Sequence, residues 1–158
     1  MPLISRGLYS YIEARLHNHT KDIERAEARL KEARARAYSA SQAPADPNGG
    51  GRASGRHDKV ERAAIRVTEC EEQLRKALAW DDVCVRLRRI CSEKELAGQV
   101  GRWIYDRGLT QADCCRMLNR DRKTVRKLQD KYIMNALLLA VEAQLVKLED
   151  YSEEGTEH

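Results

Sequence analysis

The sequence predicts an all-α protein: a long antiparallel helical hairpin of the coiled-coil kind, followed by a C-terminal helix-turn-helix domain. Three observations carry this expectation. Apolar residues recur alternately three and four positions apart along most of the chain, the period of a helix face. Charged residues make up 34% of the 158 residues and Phe is absent, the composition of long amphipathic helices. No alternation of Val, Ile and Thr is sustained long enough for a strand.

The first helix carries the stripe Tyr9, Ile12, Leu16, His19, Ile23, Ala26, Leu30, Ala33, Ala37, a heptad seam. His19 is its one polar member. A packing or register role is expected of it rather than a catalytic one, because no second catalytic group lies at a predictable distance. Residues 40–56, "ASQAPADPNGGGRASGR", concentrate Pro, Gly, Ser and Asn and predict a flexible loop. Such a loop should tolerate shortening, since closure entropy changes slowly with length.

The seam resumes as Val60, Ala63, Val67, Cys70, Leu74, Ala77, then shifts phase to Trp80, Cys84, Leu87, Cys91. Two seamed helices joined by a loop make an antiparallel hairpin, residues 1–91. Pairing outward from the loop sets Ala37 beside Val60, Leu30 beside Val67 and Ile23 beside Leu74. Ala33 and Ala26 then face Ala63 and Cys70, and small layers alternate with large ones, which lets helices approach closely.

From Ser92 shorter helices are expected. Ser92 and Glu95 have capping-box spacing, and Leu96, Val100, Trp103 and Ile104 form an apolar face. Gly108 is placed to end that helix in a left-handed cap, and Thr110 to cap the next. In "LTQADCCRMLNRDRKTVRKL", Cys114, Cys115 and Leu118 point inward. Asn119 sits at a sharp corner where positive φ is needed, and Asp121 caps the following helix. Val125 and Leu128 face back, which leaves Arg122, Lys123, Arg126 and Lys127 on or beside the outer face. This is the layout of a helix-turn-helix whose second helix, 121–131, presents its first turns to the major groove. Thr110, Gln111, Arg120, Arg122, Lys123, Thr124, Arg126, Lys127 and Lys131 are the candidate DNA-binding residues. Arg122 and Arg126 are the candidates for guanine contacts, and Lys123, Lys127 and Lys131 for backbone anchors. Arg120 occupies a turn position that commonly holds an apolar residue.

Charge supports this placement. The chain carries a net +4, but residues 102–148 alone carry +5 and the tail 149–158 carries −5, a polyanion-binding block with an acidic end. The apolar stripe continues past the reader through Met134, Leu138, Val141, Leu145 and Leu148, and a homodimer about this helix is expected, with folding back on the hairpin as the alternative. The five cysteines, Cys70, Cys84, Cys91, Cys114 and Cys115, form no CxxC pair. They are expected to be reduced and mostly buried. No cofactor is expected. No carboxylate pair, metal cluster, nucleophile with base, or phosphate-binding glycine loop is apparent, so an enzyme is not expected. No stretch approaches a membrane span and the start "MPLISRGLYS" lacks a signal core, so the expected location is the cytoplasm.

The segment "QVGRWIYDRGLTQADCCRMLNRDRKTVRKLQDKYIMNAL" resembles the C-terminal helix-turn-helix of phage-encoded late-gene transcription regulators of the ArpU and RinA type, itself similar to the promoter-reading domain of bacterial sigma factors. The resemblance implies a sequence-specific regulator in which Trp103 is a core residue of the first reader helix and Thr110 a cap. It makes Cys115 the small packing residue and Asp121 to Lys127 the promoter-facing turns. Double-stranded DNA is the implied partner. The competing expectation is a non-enzymatic interaction protein whose hairpin docks on RNA polymerase or on a phage packaging or defence component.

Overall fold

The computed structural model describes residues 4–42 and 53–151, and among them every regular element is helical. Helix α1 spans Arg6–Gln42 and α2 Ala53–Ile90. Helix α3, Leu96–Gly101, passes directly into a five-residue π-helix, Arg102–Asp106. Helices α4, Gln111–Leu118, and α5, Arg122–Glu142, complete the order, with a short 3₁₀ turn at Leu148–Tyr151. The all-α expectation holds, and no helix among the described residues is long and apolar enough to cross a membrane.

The hairpin helices are longer than expected, because residues 40–42 and Ala53 onward are helical. The sequence restriction that Pro44 places on the residue before it falls after Gln42, and no proline follows Ala53 to interrupt α2. Residues 43–52, the middle of the expected loop, lie outside the described residues, as does the acidic tail from Ser152.

Two compact units are present, one made of the chain up to His19 with the chain from Ala79 onward, the other of Thr20–Leu78. In the Thr20–Leu78 unit part of the seam packs together: Leu30, Ala33 and Cys70 are buried with Val67 and Leu74 against them. Arg34 reaches Glu71 at 3.6 Å.

The other unit is built around Ile12, Leu16, Trp80, Val83, Leu87, Val100, Ile133 and Ala136. It thus includes the first turns of α1 and the last turns of α2 as well as residues 92–148. His19 serves there as an anchor, its Nδ1 2.8 Å from Asp81 Oδ1. Leu8, outside the seam as read, is buried, whereas Tyr9 is half-buried.

Local details depart from expectation where packing overrides pattern. No capping box forms at Ser92. Its carbonyl instead accepts from the Glu95 N–H at 3.0 Å in a turn, and α3 begins after Glu95 without a side-chain cap. Ala97 faces inward while Leu96 is 40% exposed. The reason lies in Gly98 and Gly101: a Cβ at Gly98 would overlap the Ser92 carbonyl oxygen, and one at Gly101 the ring of Tyr132. The face that must approach α2 and α5 is the glycine face, and this sets the rotation of α3.

Candidate nucleic-acid interface

The corner is built from caps whose geometry follows directly from the side chains. The π-helix ends with Arg107 N–H donating to the Arg102 carbonyl at 3.1 Å and Leu109 N–H to the Trp103 carbonyl at 2.8 Å. Gly108 between them has φ +69°, the left-handed conformation glycine adopts at no steric cost. Thr110 then caps α4 in a full capping box. Its hydroxyl accepts from Asp113 N–H at 3.1 Å, and the Asp113 carboxylate accepts from Thr110 N–H at 3.0 Å. Asn119 takes the left-handed corner at φ 50°, ψ 49°, and Asp121 caps α5 by accepting from Thr124 N–H at 3.1 Å. The bonds from Thr110 hold the Asp113 carboxyl below the usual carboxylate range, and those from Thr124 do the same for Asp121. Both carboxylates are therefore charged at neutral pH and favour the positive ends of their helices.

Packing of the corner differs from expectation in one residue. Cys114 is the fully buried small residue of the corner, and Cys115, like Leu118 and Leu128, is half-buried against the core. Burial pushes the Cys114 thiol up, and that of Cys84 up to about 12, so both are protonated packing groups. Trp103 is half-buried against the core rather than enclosed in it.

The candidate DNA-binding residues separate into two groups. Arg122, Lys123, Arg126, Lys127 and Lys131 are all exposed on the first three turns of α5, and Arg120 is exposed at the corner. Among the described residues none of these six forms a salt bridge, whereas Arg88 is paired to Asp106, Arg102 to Glu93 and Arg116 to Asp113. Spacings of four set Arg122 and Arg126 in one row and Lys123, Lys127 and Lys131 in a second. From Arg122 to Lys131 the two rows span about 14 Å at 1.5 Å per residue.

Of the other three candidates, Thr110 and the Thr124 backbone N–H take part in the caps, and Gln111 bonds within the unit. The Gln111 side-chain amide donates to Gln129 Oε1 at 2.5 Å. Gln129, buried on the inward stripe of α5, donates to the Tyr105 hydroxyl at 2.9 Å and to Glu13 Oε1 at 3.0 Å. The Tyr105 hydroxyl donates to the same Glu13 oxygen at 2.8 Å. The first turns of α1, the π-helix, α4 and α5 thus meet in one polar network. Its one sequence signal is a Gln at a position, four after Val125, where the helix period calls for an apolar residue.

What the arrangement can do chemically is bind anions with a rigid, cation-bearing helix. No family model, curated protein or solved structure matches this chain.

Proposed function

We propose that this chain is a sequence-specific, non-enzymatic DNA-binding transcription regulator that reads the major groove with the first three turns of α5. The observation that carries the reading is the set of exposed cations without salt bridges among the described residues, Arg122, Lys123, Arg126, Lys127 and Lys131 on one helix and Arg120 at the capped corner before it. A helix fits the major groove, lysines and arginines hold phosphates, and arginine can bond guanine O6 and N7 together. The resemblance of residues 99–137 to phage late-gene regulators favours transcription as the use of such a face. Thr110, Gln111 and Thr124 position the helix in this reading, and base edges are left to Arg122 and Arg126. Two copies joined near Leu138 present two reader helices to a palindromic site.

Selecting bound duplexes from a random pool with purified protein tests the reading. Arg122→Gln with Arg126→Gln should abolish discrimination between selected and scrambled duplexes, at about 1–3 kcal/mol for each bidentate base contact. Lys127→Ala should weaken all sequences alike and flatten the salt dependence. A wild-type protein that binds no duplex, or a double variant that discriminates as wild type does, overturns it.

A further inference from the structure

A single carboxylate interrupts the reading face. Asp130 lies four residues after Arg126 and three after Lys127, the two spacings at which helix side chains of opposite charge pair. Left to itself it would neutralise the cations that the DNA needs. Yet among the described residues Asp130 forms no ion pair, and its Oδ1 instead accepts from the Tyr9 hydroxyl at 2.9 Å.

Tyr9 is well placed to hold it. The Tyr9 ring is half-buried against the core. One turn further along α1, Glu13 is bound by Gln129, the neighbour of Asp130, and by Tyr105. These bonds fix the register of α1 against α5. Burial, then the bond to Asp130, pushes the Tyr9 phenol far above its ordinary range, and Arg126 is close enough to oppose that rise. The hydroxyl is therefore a permanent donor. Arg126 is near enough for the carboxylate to reach if released.

We propose that Tyr9 is a positioning residue of the DNA-reading face, whose hydroxyl holds the Asp130 carboxylate off Arg126 and Lys127 so that both stay available to DNA. This rests on the DNA-binding reading above. It also explains why the reader unit takes in the start of α1, and it makes that segment part of the binding machinery without touching the ligand.

The test uses the full chain and a duplex selected by the wild type. Tyr9→Phe removes only the hydroxyl. It should bind about two- to fivefold more weakly, the effect of one exposed ion pair, with a salt slope lower by up to about 0.9 for a lost phosphate contact. Its melting point reports any loss of fold separately. Tyr9→Phe with Asp130→Asn should bind as well as Asp130→Asn alone, because no carboxylate remains to be released. Asp130→Glu keeps the charge and leaves Tyr9 intact but lengthens the side chain by one methylene, and it too should weaken binding. Tyr9→Phe and Asp130→Glu both binding as wild type overturns the inference, as does a Tyr9→Phe defect that Asp130→Asn does not relieve. A wild type that binds no duplex overturns the DNA-binding reading itself, and this inference with it.

Discussion

Gln111 and Gln129, on different helices, meet through their side-chain amides at 2.5 Å, and that bond places a polar network inside the corner that presents the cations. Gln129 also donates to Glu13 and Tyr105. Without Gln129 the Gln111 amide loses its acceptor, while Tyr105 and Glu13 keep only their bond to each other, and a buried polar group left unpaired costs about 1–3 kcal/mol.

Gln129→Leu should therefore destabilise the protein by about 1–3 kcal/mol, although leucine is the more apolar residue. Glu13→Gln, which can still accept from Tyr105, should cost less. Urea midpoints measure both. A Gln129→Leu protein as stable as wild type would show that the network adds nothing to stability.

The caps give the corner a pH dependence of definite sign. The carboxyls of Asp113 and Asp121 titrate lower in the folded chain than in the unfolded one, where aspartate titrates near about 3.9. Their contribution is complete above that value and is lost as pH falls through the lower, folded values. Stability should drop on the acid side of about pH 4, and less steeply in Asp121→Asn. An acid limb identical in the variant would separate the cap from the effect. At neutral pH, Thr110→Ala should cost about 0.5–2 kcal/mol, the range for losing an N-cap.

Gly98 permits a close approach that no other residue fits. Because a Cβ there meets the backbone of Ser92 and Cys91, which cannot rotate away as a side chain can, Gly98→Ala should destabilise by about 1–3 kcal/mol despite alanine's better helix propensity. Calorimetry checks it. An unchanged melting point would mean that α3 shifts freely against the end of α2.

The corner was legible because caps and corners are local. Thr110, Asn119 and Asp121 each act within four residues, so residue type alone indicates them. The seam was legible because burial repeats with the helix period, and Ile12, Leu16, Leu30, Ala33, Cys70, Trp80, Cys84, Leu87 and Cys91 are all buried. What could not be read joins distant parts of the chain. The bonds of Tyr9 with Asp130 and of Glu13 with Gln129 span more than a hundred residues, and no period announces them. Ser92 and Glu95 mimic a capping box, but the approach demanded by Gly98 moved the helix start past them. The bond of Gln111, a polar residue in the first turn of α4, to Gln129 on α5 likewise had no sign in the local pattern.

The stripe beyond the reader gives the last prediction. Helix α5 ends at Glu142, sooner than the stripe suggests, with Gln144 at φ 60° after it. Met134, Val141 and Leu145 pack on the chain's own core while Leu138 and Leu148 remain 60% and 54% exposed. Folding back thus accounts for much of the stripe, and the part left to a second copy is small and centred on Leu138. Light scattering should give twice the 18.1 kDa chain mass. Leu138→Glu should halve it while leaving the melting point near that of a monomer, since substitutions at exposed sites usually stay within about 0.5 kcal/mol. Leu145→Glu is the poorer probe, because it would damage the core as well. A monomeric wild type at concentrations that saturate DNA removes the pair and the requirement for a palindrome. A Leu138→Glu protein that stays dimeric moves the contact away from α5 and leaves the spacing of the two readers to be set by another surface.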